Sequence, residues 1–245
     1  MTRLTLFAIL LFSTISGSFQ ISSGNWSSGI DYEYNFWERW IKLRGGIWNS
    51  DFENRIKKQR TIASEILDLA PKEENRKRYT ILDCGAGPMT ILGNHHPNFE
   101  IELIPVDPLA NMYDQILLKY DIIPYPRTQK CSVENVDTCF SLNMFDVVHM
   151  YNALDHSKRP LKGILAMLAV VKPGGSVFLS HATDEAENEK YAGFHQFNFN
   201  CNKDMEFTIT DAKGFVININ KELLHVAVTT SVIQKGKIIT RIRKL

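Results

Sequence analysis

The residues best placed by type and spacing to do chemistry are the run Asp83-Cys84-Gly85-Ala86-Gly87-Pro88 and, 24 positions beyond Asp83, Asp107. Gly85 and Gly87 can take backbone angles closed to other residues and let a ligand approach the main chain. A carboxylate at Asp107 can accept from both hydroxyls of a cis-diol. About 20 residues past a glycine turn is where an acid meets a ribose in an open α/β sheet. Asp107 would also serve as an ordinary cap for the helix that begins near Pro108.

A second polar group follows the apolar run Phe145–Met150, in Asn152, Asp155 and His156. A strand there would deliver these side chains at its carboxyl end, above the same crevice. His156, with an ordinary pKa of about 6.5, is the candidate general base, and Asn152 a positioning group. His181, His195 and Gln196 are further candidates to touch a substrate. A histidine in a polar loop is equally an ordinary hydrogen-bonding residue.

These groups need a scaffold, and the hydrophobic pattern supplies one. Arg78–Asp83, Ile101–Val106, Phe145–Met150 and Ser176–His181 read as strands, with helical periodicity over Pro108–Tyr120 and Pro160–Val171. Lys172-Pro173-Gly174-Gly175 is expected to end the second helix and turn the chain into its strand. Near-continuous apolar strands alternating with helices predict a mostly parallel sheet covered on both faces. Glu206–Thr210, Phe215–Ile219 and Val226–Ile233 are β-prone with little helix between them, so antiparallel strands are expected at the C-terminal end. Trp37, Trp40, Ile41 and Leu43 lie on one helical face ended by Gly45-Gly46, and Asp51 can cap a second helix through about Leu69. Residues 184–203 could cover the crevice, although Phe194, Phe197 and Phe199 read chiefly as core.

Composition constrains the partners. Charged residues make up 22% of the 245, the formal net charge is +1, and the longest basic group is Arg241, Arg243 and Lys244. A phosphate-tracking surface needs clustered Lys and Arg, so no nucleic-acid partner is expected. No cysteine pair is spaced as CxxC and no metal-ligand cluster is legible, so no metal is expected. Four buried free thiols are the expected state of Cys84, Cys131, Cys139 and Cys201. Arg3, the apolar run Leu4–Ile15 and Ser16-Gly17-Ser18 have the layout of a signal peptide, too short to span a bilayer. Together with the sequon Asn25-Trp26-Ser27 this suggests a secretory route; the alternative is an apolar leader on a cytoplasmic protein. The chain divides into a leader (1–18), a Ser/Gly-rich linker (19–30), an N-terminal helical extension (31–72) and a ligand-binding domain (73–245).

Leu82-Asp83-Cys84-Gly85-Ala86-Gly87, Val106-Asp107, Phe145-Asp146-Val147-Val148 and Val171-Lys172-Pro173-Gly174-Gly175, in this order, resemble the signature of class I S-adenosylmethionine-dependent methyltransferases. The resemblance covers roughly residues 78 to 181. It implies a Rossmann-like, doubly wound α/β fold and S-adenosyl-L-methionine as cofactor. Gly85, Ala86 and Gly87 would line its methionine part, Asp83 would order the turn and contact the amino group, and Asp107 would bind the ribose. Ser132, Val133 and Glu134 would border the adenine, with Asn152 also against the cofactor. Ser132 stands where the family often has aspartate, and Met89 where its third motif glycine would fall. Asn152, Asp155 and His156 would face a methyl acceptor, expected to be a small molecule. Two other readings share the glycine turn: a non-catalytic cofactor-binding interaction module, and a nicotinamide-dependent oxidoreductase. The second expects glycine or alanine at Thr90 and has no use for Lys172–Gly175.

Overall fold

Strand after strand, the apolar runs enter one sheet in the computed structural model, which describes residues 23–245. β1 (Arg78–Cys84), β2 (Glu100–Asp107), β3 (Gln129–Lys130), β4 (Phe145–Tyr151) and β5 (Val171–Ala182) pair in parallel in the order β3-β2-β1-β4-β5. β6 (Phe197–Cys201), β7 (Phe207–Asp211) and β8 (Val216–Asn218) form a separate antiparallel sheet. The hairpin of β9 (Ala227–Gln234) and β10 (Lys237–Lys244) then returns to the main sheet, β10 lying antiparallel between β5 and β9. The fold is the expected Rossmann-like, mostly parallel α/β sheet with an antiparallel end. Strand order reverses between β1 and β4, and at that switch point such sheets open a ligand crevice.

Period-two alternation fills both faces. Ile81, Leu103 and Val147 pack with the short helix region around Ile66 and Leu67, while Leu82, Val106 and Val148 pack with Ile164 and Met167. The helices are α1 (Ser23–Lys42), α2 (Asn49–Arg55), α3 (Ser64–Leu67), α4 (Ala110–Lys119), α5 (Val136–Cys139), α6 (Pro160–Val170), α7 (Glu185–Asn188) and α8 (Ile219–Glu222). Pro160 opens α6, where its missing N–H costs nothing.

Several local expectations are corrected. Residues 23–30 are helical rather than linker, because α1 is stabilised by packing: a Cβ at Gly29 would fall 2.2 Å from the Phe194 ring. The leader and the rest of the linker lie outside the described residues. The single helix expected from Asp51 to Leu69 is two, α2 and α3. Between them the chain leaves helical geometry to bridge Thr61 to His95. Cys131 and Cys139 are joined in a disulfide and only Cys84 and Cys201 are free; the turn at Val133–Asn135 and α5 fold the chain back between the two bonded residues. The basic C-terminal group is strand, with Ile238, Thr240 and Ile242 directed into the core. Among the described residues, no helix is long and apolar enough to cross a membrane.

Lys172–Gly175 does not follow a glycine-capped helix end. The strand register shifts there, so that Phe145 pairs with Val171 but Val147 with Ser176. The bulge brings Lys172 Nζ to Asp146 Oδ1 at 2.8 Å, beside Arg76 at 2.7 Å, while Thr80 donates to Oδ2 from N and Oγ1. Burial opposes ionisation of Asp146, but Lys172, Thr80 and Arg76 outweigh it and hold the carboxyl below its ordinary range. Gly175 is required for this approach, since a Cβ would stand 2.6 Å from the Asp146 carbonyl.

Candidate active site

The turn after β1 has the geometry its glycines suggest. Gly85 and Gly87 have φ of 65° and 61°, the left-handed region that side chains disfavour. Space is equally limiting: a Cβ at Gly85 would lie 2.4 Å from Ala153 Cβ, and one at Gly87 2.8 Å from the Trp37 ring. Asp107, ending β2, fastens the turn. Its Oδ2 accepts from Gly87 N at 3.1 Å and its Oδ1 from Leu109 N at 2.8 Å, so it ties the turn to the next helix while still lining the cleft beside it. Burial pushes its carboxyl up to about 7, against the two N–H donors that favour the ionised form.

Beneath the turn, Asp83 is buried with both oxygens engaged. Thr90 Oγ1 donates to Oδ2 at 2.5 Å, and Oδ1 lies 2.6 Å from His149 Nδ1. Asp83 therefore ties Thr90 and His149 together beneath the turn. His149, which stacks on Phe178, has no sequence signal of its own beyond lying in a strand.

One cleft of about 850 Å³ spans this region. Gly85, Ala86, Gly87, Asp83 and Asp107 line it, together with Val133, Glu134, Asn152 and His156. Ser132 is not among its lining residues. Its Oγ instead accepts from Asn135 Nδ2, because the turn at Val133–Asn135 directs it back onto its own loop. Glu134 also holds the start of α6, accepting from the N–H groups of Lys158 and Arg159. α1 supplies Glu33 and Trp37 to the wall, and Trp37 Nε1 donates to Glu33 Oε2 at 3.1 Å. Tyr113, whose hydroxyl burial holds neutral, borders the same space. Carboxylates outnumber cations in the lining: Glu33, Asp51, Asp107, Glu134, Glu185 and Glu189 are among them, against Arg55.

Past β4 the chain makes a short helical turn, Leu154–His156, that carries the second polar group. Asp155 is 1% exposed, and its Oδ2 lies 2.8 Å from His195 Nδ1 and 3.3 Å from His156 Nε2. The two ring nitrogens are themselves 3.3 Å apart. Burial opposes the charge on Asp155, yet His156 and His195 hold its carboxyl below the usual range. His195 shifts the other way: burial disfavours its cation, and the bond to Asp155, aided by Glu185 and Glu189, raises it. The fold thus makes a cluster that the sequence did not show, because β5 and α7 separate His195 from the other two residues.

The remaining candidates divide. Asn152, at φ 46°, is spent on the backbone frame: Oδ1 accepts from Ala182 N and Nδ2 donates to Glu185 Oε1. Gln196 donates to the carbonyls of Tyr191 and Gly193 and shapes its own loop. His181 is buried beside Phe199, outside the cleft lining, and burial lowers it to about 4, leaving it neutral. Phe194, Phe197 and Phe199 are all core.

A glycine turn, and an acid ending the neighbouring strand, at the switch point of this sheet suit the class I methyltransferase fold. Residues 54–209 match the methyltransferase domain family, and the chain belongs to that family. It is 30% identical over 116 residues to an uncharacterized methyltransferase of Schizosaccharomyces pombe, a match covering 44% of this chain and 41% of that one. Among solved structures, it resembles a chain of the complex between the Haloferax volcanii Trm112 methyltransferase activator and a methyltransferase, with a TM-score of 0.52 and 14% identity. That likeness covers 84% of this chain and 96% of the other. The CMeT domain of the citrinin polyketide synthase gives a TM-score of 0.51 at 11% identity, covering 74% of this chain and 49% of that one. These likenesses establish the fold.

Proposed function

We propose that the chain uses S-adenosyl-L-methionine to methylate a small-molecule acceptor, with both bound in the one cleft. The observation that carries this reading is the continuity of that cleft. It joins Gly85, Gly87 and Asp107, suited to the nucleoside and methionine parts of the donor, to His156 and His195, which front the buried Asp155 and are suited to a polar acceptor. A volume of about 850 Å³ falls within the range of small-ligand pockets.

The donor's sulfonium methyl is already electrophilic, so the protein need only align the acceptor in line and exclude water. An acceptor lone pair forms the new bond to the methyl carbon. The carbon–sulfur bond breaks with its electron pair going to sulfur, which becomes the neutral thioether of S-adenosylhomocysteine. A hydroxyl or protonated amine must also release a proton, and in this reading the Asp155–His156–His195 cluster promotes that loss. Asp83, Gly85, Ala86, Gly87, Asp107, Val133 and Glu134 make the donor side in this reading, and Asn152 holds the loop between the two sides.

Two measurements test it. Calorimetry should show binding of S-adenosylmethionine and S-adenosylhomocysteine and none of NAD. Incubation with metabolite extracts and labelled donor, read by mass spectrometry, should then reveal the acceptor. Tight NAD binding with no response to S-adenosylhomocysteine would overturn the proposal.

A further inference from the structure

The Asp155–His156–His195 cluster has a geometry that hydrogen bonding alone explains poorly. His156 Nε2, His195 Nδ1 and Asp155 Oδ2 form a triangle with sides of 3.3, 2.8 and 3.3 Å. Nitrogen and oxygen ligands about 2.0–2.1 Å from one cation stand about 2.9 Å apart at a right angle and about 3.3–3.4 Å apart at the tetrahedral angle. The three atoms therefore fit a shared centre. A hydrogen-bonded cluster would spread its donors over the carboxylate, yet both imidazoles converge on Oδ2 while the buried Oδ1 has no partner among the described residues.

The surroundings match as well. His156 Nδ1 lies 3.4 Å from Glu33 Oε1, so a carboxylate stands behind the ring on the side away from Asp155, where a small approach would make the carboxylate–imidazole bond that orients metal-binding rings. Glu33 is in turn held by Trp37. His156 and His195 border the cleft, so a cation would keep positions open to a ligand from that side.

From this geometry we propose that Asp155, His156 and His195 bind one first-row divalent cation, with Glu33 as the positioning carboxylate behind His156. Two imidazoles and one carboxylate suit zinc, iron(II), cobalt(II) or nickel(II) rather than magnesium or calcium, which favour oxygen ligands throughout. The role assigned to the cation rests on the reading of this part of the cleft as the acceptor side. There it coordinates an acceptor hydroxyl and makes its proton easier to lose, so that the oxygen lone pair is available to the methyl group.

Cobalt(II) added to the full chain after dialysis against a chelator is the direct test. Visible d–d bands should saturate at one cobalt per chain and be displaced by zinc. His156→Ala and His195→Ala should each weaken cobalt binding by at least about 10–100-fold, while His225→Ala leaves it unchanged. His156 is partly exposed, so its variant should fold even if the His195 variant does not. Calorimetry with S-adenosylmethionine on metal-free protein separates the two proposals. Donor binding without any cobalt site would overturn the metal assignment and leave the methyl-transfer reading standing. A saturable cobalt site in a chain that does not bind the donor would do the reverse. Cobalt binding that persists in both histidine variants would overturn the assignment to these ligands.

Discussion

The indole of Trp37 closes over Gly87: a Cβ at position 87 would meet the ring at 2.8 Å, and the ring's Nε1 is fixed by Glu33. An N-terminal helix outside the sequence motifs therefore forms part of the wall around the glycine turn. Trp37→Ala should remove that wall and weaken S-adenosylmethionine binding about tenfold, the scale of losing part of an aromatic contact area. Trp37→Phe should recover most of the loss. Calorimetry on the two variants checks this, and equal affinities in all three proteins would show that α1 does not touch the donor.

Truncation tests the same helix from the other side. A chain beginning at Ser23 should fold and bind the donor as the full chain does. One beginning at Ile47 strips cover from Phe52, Tyr113 and Phe194, which share a core with Trp40 and Ile41. It should show a lower unfolding midpoint and no measurable donor binding.

Asp107 sets a pH dependence. Its carboxyl, pushed up to about 7 by burial, is neutral below that pH in the free folded chain and near 3.8 in the unfolded one. The folded state holds the extra proton between these limits, so this group's contribution to stability declines as pH rises through that window. Donor binding runs in the opposite direction, because a ribose diol needs the ionised acceptor. Affinity should fall as pH drops below about 7, by at most about tenfold per unit. The facing groups are Glu33, which raises Asp107, and His156, which lowers it; the Tyr113 hydroxyl and the Cys84 thiol are kept neutral by burial. Asp107→Asn should cost about 1.5–3 kcal/mol of donor affinity and flatten the pH profile. Calorimetry from pH 6 to pH 8 reads both effects, and an unchanged slope in the variant would remove Asp107 as the titrating group.

Gly85→Ala should be the most damaging small substitution at the turn. It combines a strained φ with a methyl 2.4 Å from Ala153, so a loss of about 1–3 kcal/mol in stability is expected. Urea denaturation measures it. Donor binding should fall as well, since Gly85 itself lines the proposed donor side of the cleft.

How much of this could be read from sequence follows from distance along the chain. Gly85, Gly87 and Asp107 were legible because one strand–turn unit and its neighbour carry the whole constellation. The parallel core was legible because strands buried on both faces, such as β4 with Phe145, Val147 and Val148, are apolar nearly throughout. His195 was not, because its meeting with Asp155 depends on how β5, α7 and the following loop fold back. Residues 23–30 misled for a related reason: Ser and Gly favour a linker locally, and only packing such as that of Gly29 on Phe194 makes them helical. Lys172–Gly175 was recognised as a motif while its action, the clamp on Asp146, lay in the tertiary contacts.

The surplus of carboxylates around the cleft has a consequence for turnover. A sulfonium donor enters with a positive charge on sulfur and leaves as a neutral thioether. Under the proposed reaction an acidic wall favours substrate over product through the one feature that the reaction erases, and the attraction that would recruit the donor weakens once the methyl has gone. Added salt screens only that part of binding. Raising ionic strength should weaken S-adenosylmethionine more than S-adenosylhomocysteine, drawing their affinities together and making spent cofactor a stronger competitor in concentrated salt.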